Sequence, residues 1–236
     1  MREVVPDVYV MEGVLGSNVY ALASDSGVTL VDTGVGGQAD RILAQLQARG
    51  YSPSDLKAIV LTHCHGDHAG SAAQLARRCG AQVLAHQDEV PYIERTSPLP
   101  TDSAVKRFMN WLGDAILLRR DACHIDRPLQ DGDAIEALGG MRAVHAPGHS
   151  PGSLCLYQPE RRILFCGDAL FNAHPITGKR GLGLHMRLFT WDNALARDTA
   201  RRLSTLAVQV LCCGHGQPIL AGAGEQMRAL VGDRGQ

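Results

Sequence analysis

The chain reads as an α/β protein built from two stacked β-sheets with helices on their outer faces. Three observations lead there. Hydrophobic residues make up 45% of the 236-residue sequence and charged residues 20%, the balance of an ordinary folded globular protein rather than a disordered or fibrous one. Short apolar runs of strand length alternate with amphipathic stretches of helical period. The two halves repeat one outline: strands, a helix, then a strand. The length suits a single domain over residues 1–236, with a helical insertion at about 95–126, and it can bury a core without disulfide staples.

The elements follow in order. Val4 to Val10, Asn18 to Ala23 and Val28 to Asp32 read as strands, separated by the turn signals Gly13/Gly16/Ser17 and Asp25-Ser26-Gly27. A helix is expected from about Gln38 to Arg49, with Ile42, Leu43 and Leu46 on one face and Gly50 as its stop. Lys57 to Leu61 is a buried strand, Ala69 to Arg78 a helix ended by Gly80, and Gln82 to Ala85 a further strand. In the insertion, Val105, Phe108, Met109, Leu112 and Ile116 recur at spacings of three and four and predict one amphipathic helix. It is read as a lid, an acyl pocket or a subunit contact. Strands return at Ala134 to Ala137, Met141 to His145, Ser153 to Tyr157 and Ile163 to Cys166, followed by a long polar loop, Asn172 to Thr190. Trp191 to Leu206 is a helix with Asp192 in its first turn, Val208 to Leu211 a last strand, and Ala223 to Val231 a terminal helix.

Charge and cysteine usage narrow the function classes. Lys and Arg number 23 against 24 Asp and Glu, a net charge of −1. No global basic field exists to attract nucleic acid. The pairs Arg77-Arg78, Arg119-Arg120, Arg161-Arg162 and Arg201-Arg202 are isolated and read as solvated faces. No run approaches the roughly 20 apolar residues of a membrane span, and Glu3, Pro6 and Asp7 stand where a secretory leader would be apolar. The seven cysteines are scattered, contain no CxxC and fall largely in strand-like runs. This reads as reduced, buried cysteine in a cytoplasmic protein. The expected partner is a small-molecule substrate, with no nucleic acid and no membrane, and with a homodimer as an option.

Chemistry concentrates at strand exits. His63, His65, Asp67 and His68 fall within six residues, directly after an apolar strand. Imidazole and carboxylate are the ligands that suit zinc and iron, and buried without partners each would cost several kcal/mol in desolvation. Three later exits add like residues: His149 in Pro147-Gly148-His149-Ser150-Pro151-Gly152, Asp168 after Phe165-Cys166-Gly167, and His215 in Cys213-Gly214-His215-Gly216. Singly each suits a turn; together, seven ligand-type residues sit on strand exits. His86, His124, His145, His174 and His185 are read as ordinary polar residues. His174 and His185, flanking the long loop, stand where substrate could pass.

In these motifs the chain resembles the metallo-β-lactamase superfamily. The motifs are Val31-Asp32-Thr33-Gly34, Thr62-His63-Cys64-His65-Gly66-Asp67-His68-Ala69-Gly70, Ala146-Pro147-Gly148-His149-Ser150, Cys166-Gly167-Asp168 and Gly214-His215-Gly216, in the family's order over roughly residues 4 to 220. The resemblance implies a four-layer αββα sandwich with two divalent metal ions, zinc foremost and iron or manganese as options, at one edge of the sheets. It implies that His63, His65 and His149 hold one ion, Asp67, His68 and His215 the other, and that Asp168 bridges both. Asp32 would orient a ligand or the motif loop.

Such a pair of ions lowers the pKa of a bridging water toward 7 and polarises a carbonyl, so the expected activity is hydrolysis of a small activated acyl compound: a thioester, lactone or ester. Asp67, beside the nucleophile, is the candidate catalytic proton carrier. Gly167-Asp168-Ala169-Leu170-Phe171 is similar to glyoxalase II-like thioesterases, although only about 20 residues follow His215 where those enzymes carry a glutathione-binding helical domain. Lactonases of the family place a tyrosine three residues after the bridging aspartate; here Phe171 has no donor. A persulfide dioxygenase with one iron held by two His and an Asp is the alternative from another class, and a phosphodiesterase or nuclease ranks below both.

Overall fold

A computed structural model describes residues 1–99, 101, 121–174, 176–184 and 187–232. Among them the chain forms two compact units, Met1–Leu129 with Ala137–Gly139, and Gln130–Glu136 with Gly140–Gln236.

The first unit holds a seven-stranded sheet in sequence order: β1 (Arg2–Val5), β2 (Val8–Val10), β3 (Tyr20–Ser24), β4 (Gly27–Val31), β5 (Leu56–Val60), β6 (Gln82–His86) and β7 (Arg127–Leu129). Pairing is antiparallel from β1 to β4 and parallel from β4 to β7. The expected strand Val4 to Val10 is two strands. Pro6 offers no N–H to a ladder, Asp7 takes φ 63°, and the chain turns back so that Val5 faces Val8. β7 was not expected from the sequence.

Helix α1 (Ala39–Gln47) buries Ala39, Ile42, Leu43 and Leu46, the stripe its period predicts. The helix expected from Ala69 to Arg78 is broken into α2 (Gly66–Ala69) and α3 (Ala72–Cys79). The loop after β4 takes the N–H groups that would carry one helix through. Gly70 donates to the Gly34 carbonyl (3.0 Å) and Ser71 to the Thr33 hydroxyl (3.2 Å). Gly80 ends α3 at φ 67°, as expected. A short α4 (Val90–Ile93) follows β6. Ile42 and Leu46 of α1 and Leu75 of α3 share one buried cluster with Leu30, Ile59 and Val83 of the sheet. The amphipathic helix expected on Val105, Phe108, Met109, Leu112 and Ile116 lies outside the described residues.

The second unit holds a five-stranded sheet of order β14-β11-β10-β9-β8, from β8 (Ala134–Ile135), β9 (Met141–His145), β10 (Leu154–Gln158), β11 (Ile163–Gly167) and β14 (Val210–Cys213). Part of the expected loop Asn172 to Thr190 is instead half of a two-stranded ribbon, β12 (Leu170–Ala173) with β13 (Arg180–Leu184). Its glycines and basic residues hide the strand pattern, because Gly depresses β propensity. Helices α5 (Asn193–Leu203) and α6 (Ala223–Gly232) place Ala200, Leu203, Ala223 and Met227 in one buried cluster with Leu164 and Leu211. Asp192 caps α5 rather than lying inside it, accepting from the Ala194 and Leu195 amides at 2.8 and 3.0 Å.

Strand direction places the chemistry. In the first unit β4, β5 and β6 are parallel, so their exits lie at one sheet edge. In the second, β9 and β11 each pair antiparallel with β10, and β11 pairs parallel with β14. β9, β11 and β14 therefore run one way, and the residues that follow them emerge at one edge. Among the described residues no helix is long and apolar enough to cross a membrane.

Gly70 has helical backbone angles (φ −60°), so alanine there meets no torsional obstacle; space is the obstacle. A Cβ would strike backbone atoms of Gly36, Gly66 and Val35. Gly70→Ala should cost about 1–3 kcal/mol or more as overpacking, read as a lowered urea midpoint. Gly232→Ala, with nothing within 4 Å of its Cβ, should leave the midpoint nearly unmoved. Equal midpoints would show that the α2 to α3 junction is not tightly packed.

Candidate metal centre

In the first unit the exits of β4 and β5 build one buried polar knot. Asp32, 2% exposed, stands just after β4 with φ 61°, a left-handed conformation that Asp tolerates better than most residues. Its Oδ1 accepts the Thr62 amide at 2.8 Å, and its Oδ2 accepts the Thr62 hydroxyl at 2.8 Å and Nδ1 of His68 at 2.8 Å. A carboxylate only accepts. His68 therefore carries its proton on Nδ1 and its lone pair on Nε2. Thr62 has one hydroxyl proton and gives it to Asp32, so toward Nδ1 of His63, 3.1 Å away, it can only accept. His63 is thereby set with its proton on Nδ1 and its lone pair on Nε2. This is the imidazole form that ligates a metal, with the other ring nitrogen held by an outer partner.

The rest of the HxHxDH loop is pinned by backbone. Thr33 gives both its amide (2.7 Å) and its hydroxyl (2.8 Å) to the His68 carbonyl. The Ser17 amide donates to the Asp67 carbonyl at 3.0 Å. Between the two histidines, the Cys64 amide donates to Oε2 of Glu89 at 2.7 Å. Nε2 of His63 lies 3.1 Å from Nδ1 of His65, and Nε2 of His68 lies 3.8 Å from Oδ2 of Asp67.

In the second unit His149 follows β9, Asp168 opens the turn directly after β11, and His215 follows β14. Gly148, at φ 127°, allows α5 to come against the loop; a Cβ there would strike the backbone of Ala196. The Trp191 and Asp192 amides donate to the carbonyls of His149 (3.0 Å) and Gly148 (2.9 Å). The Thr190 hydroxyl lies 3.3 Å from Nδ1 of His149. Oδ2 of Asp168 is flanked by two imidazoles, 3.7 Å from Nε2 of His149 and 3.4 Å from Nε2 of His215.

These spacings test whether the donors suit a cation. Two ligands each about 2.0–2.1 Å from one tetrahedral ion stand about 3.3–3.4 Å apart. The donor pairs within each unit lie at 3.1, 3.4, 3.7 and 3.8 Å. Three of the four exceed a good hydrogen bond, and all bracket the separation of donors that share an ion. The residues present therefore fit metal binding. Cysteine takes no part. A hydrogen bond to Cys166, then burial, hold the Cys213 thiol well above its ordinary range, with the Asp168 charge acting the same way. Burial raises Cys155 and Cys212 likewise, and these buried thiols stay protonated and inert.

The remaining described histidines have local partners. His86 caps a turn by accepting the Asp88 amide at 3.3 Å, and His124 pairs with Glu94 at 2.8 Å. His145 lies 3.0 Å from the Pro151 carbonyl. Nδ1 of His174, read from the sequence as an ordinary polar residue at the edge of a loop where substrate could pass, accepts the Ile176 and Thr177 amides at 3.2 and 3.3 Å and so shapes the ribbon turn. His185 lies outside the described residues. Sequence reasoning missed Glu89, because Gln87-Asp88-Glu89 reads as a solvated turn. Its one signal was its place at the exit of β6, beside β5.

Comparison with known proteins agrees with this chemistry. The family model described as the metallo-beta-lactamase superfamily matches residues 13–215. "Probable metallo-hydrolase YybB" of Bacillus subtilis (strain 168) is 32% identical, over 82% of this chain and 77% of that protein. "Acyl-coenzyme A thioesterase MBLAC2" of Bos taurus is 31% identical over 66% of this chain, which spans 59% of that longer relative. "Hydroxyacylglutathione hydrolase GloC" of Haemophilus influenzae is 29% identical over 58% of each. Among solved structures, the metallo-beta-lactamase family protein TTHA1429 from Thermus thermophilus superposes with a TM-score of 0.72 at 23% identity, over 98% of this chain and 79% of that one. The BLEG-1 B3 metallo-beta-lactamase gives 0.69 at 24%, over 94% and 96%. These likenesses show that the expected fold class is the one adopted.

Asp32→Asn retains shape but offers His68 a weaker and ambiguous partner. It should lower metal affinity by about 10–100-fold, measured by chelator competition; unchanged affinity would remove Asp32 from the orienting role. The thiols supply a second check. Burial pushes Cys123 up to about 11, and a raised pKa leaves a thiol protonated at pH 8. Native protein at pH 8 should therefore react with a maleimide slowly and at most at half-exposed Cys79, while unfolded protein reacts at all seven cysteines. Several fast thiols in the native state would contradict the burial.

Proposed function

The chain belongs to the metallo-β-lactamase superfamily, and from that premise we propose that this metallo-hydrolase cleaves a small activated acyl compound, thioesters first, with lactones and esters behind them. His63, His65 and His149 would hold one divalent ion and Asp67, His68 and His215 a second, with Asp168 shared. The observation that carries this reading is the tautomer lock: a buried Asp32–Thr62 pair presets both His63 and His68 with the lone pair on Nε2. When bound, two such ions supply Lewis acidity toward a carbonyl oxygen and water of lowered pKa.

The protein's own groups do the rest. Asp32 keeps His68 from rotating or exchanging its proton to Nε2. Thr62 does the same for His63, and the clipped loop after β9 keeps His149 in place. Asp67, 24% exposed at its side chain against 0% for His68, is the carboxylate with access to solvent, and it takes up the proton of the attacking water and returns it to the leaving group. A thiolate leaves readily from an acyl carbon, which suits a proton carrier that is a carboxylic acid. Phe171, three residues beyond Asp168, lies against Gly183 and edge-on to His174 (5.6 Å). It brings an apolar face but no donor, favouring thioesters over lactones. The thioesterase and hydroxyacylglutathione hydrolase names among the relatives point the same way. On this reading the protein works in the cytoplasm on a small-molecule substrate, as its reduced cysteines and near-neutral charge suggest, with no nucleic-acid or membrane partner and with a homodimer as an option.

Metal-quantified protein assayed against thioester, lactone and phosphodiester panels should turn over thioesters best, with two ions per chain and loss of activity on chelation. Turnover of phosphodiesters alone would overturn the substrate class; one iron per chain with oxygen uptake would replace hydrolysis by oxygenation. Asp67→Asn should lower kcat by about 10²–10⁴-fold for the loss of a proton carrier. A variant that kept both ions and full turnover would remove that role.

A further inference from the structure

We infer that Glu89 is a positioning residue for the metal ligands His63 and His65, acting through the backbone amide that lies between them. The inference rests on the metal-binding reading above and extends it to a residue outside the seven ligands.

Three observations carry it. Glu89 is completely buried, at 0% exposure. Burying a carboxylate is expensive unless its oxygens are satisfied, so its presence in a turn that could have faced water calls for a partner. One partner is the Cys64 amide, which donates to Oε2 at 2.7 Å, a short and well-formed hydrogen bond. And Cys64 is the single residue separating His63 from His65.

Geometry turns that bond into control of the ligands. The chain bends at Thr62 and at Cys64, and His65 has the extended angles φ −64° and ψ 146°. Cys64, 0% exposed, joins the buried cluster with Ile59 and Leu61, while the rings of its two histidine neighbours meet one another away from it, Nε2 of His63 toward Nδ1 of His65. The peptide N–H at Cys64 is the backbone group between them, and holding it in place holds the relative setting of both side chains, whose facing nitrogens stand 3.1 Å apart. The Cys64 side chain anchors the segment by packing and the Glu89 carboxylate anchors it by direction. Glu89 comes from the turn after β6, whose register with β5 continues as the Leu61 amide donates to the Leu84 carbonyl at 2.8 Å. The sheet thus delivers the carboxylate to the ligand loop. Asp32 sets where the protons sit on His63 and His68; Glu89 sets how His63 and His65 stand to one another.

Cobalt(II) binding to the full chain tests this, read by chelator competition and by the visible d–d spectrum, which reports ligand arrangement independently of turnover. Glu89→Asp keeps the charge but retracts the acceptor by one methylene. It should weaken cobalt binding by about 10–100-fold, the range for lost outer-sphere support, and alter the spectrum. Glu89→Gln keeps an acceptor oxygen at full reach and should restore the wild-type spectrum with only a few-fold loss of affinity. Aspartate behaving as wild type, or glutamine losing as much as aspartate, would overturn the positioning role. Amide exchange of the metal-free wild-type chain needs no variant: the Cys64 N–H should be strongly protected, and exchange at the rate of an open loop would overturn the inference even if a variant failed to fold. A wild-type chain that takes up no cobalt would instead sink the metal reading itself.

Discussion

The carboxylate of Asp32 is the constraint on which the candidate metal-binding end of the first unit depends. It is buried, it stands in a left-handed turn, and it receives the Thr62 amide, the Thr62 hydroxyl and the His68 ring at 2.8 Å each. A buried carboxylate costs several kcal/mol in desolvation, and these charge-assisted bonds offset it. The same bonds allow only one distribution of protons over Thr62, His63 and His68. Stability and ligand chemistry are therefore one interaction at this place. Loosening Asp32 would leave a buried charge unsatisfied and two imidazoles free to present the wrong nitrogen.

Around that knot, backbone groups of distant segments hold the ligand loop. Thr33 binds the His68 carbonyl through two donors, the Gly34 carbonyl accepts the Gly70 amide, and the Ser17 amide donates to the Asp67 carbonyl. The helix after Asp67 breaks at Gly70 and Ser71 because the loop after β4 competes for its N–H groups. Such competition is costly in a plain helix, where each lost turn must be renucleated. Here the break lets the chain pass close beneath the loop it binds. The second unit uses another device to the same end: a glycine at Gly148 lets α5 approach, and two amides at its entrance clip the His149 segment.

Much of this was readable from the residues. The donor types at strand exits, the α1 stripe of Ile42, Leu43 and Leu46, and the stop at Gly80 all follow from local pattern. What escaped was set by partners far along the chain. Glu89 lies 25 residues from Cys64, and nothing in Gln87-Asp88-Glu89 distinguishes a buried carboxylate from a solvated one. The ribbon of β12 and β13 escaped for the opposite reason: its glycines and charges imitate a loop, and only cross-strand pairing, Leu170 with Leu184 and Phe171 with Gly183, makes it a strand pair.

The amino-acid order alone determined which donors exist and that each follows a strand, because ligand type is a property of a single side chain and strand exits are marked by local apolar runs and glycines. Only the folded structure decided where the protons sit on those imidazoles, which groups the Asp32 carboxylate binds, and how neighbouring histidines stand to each other. Those properties arise from hydrogen bonds across tens of residues, and a hydrogen bond has no address in the sequence until both of its ends have been brought within about 3 Å.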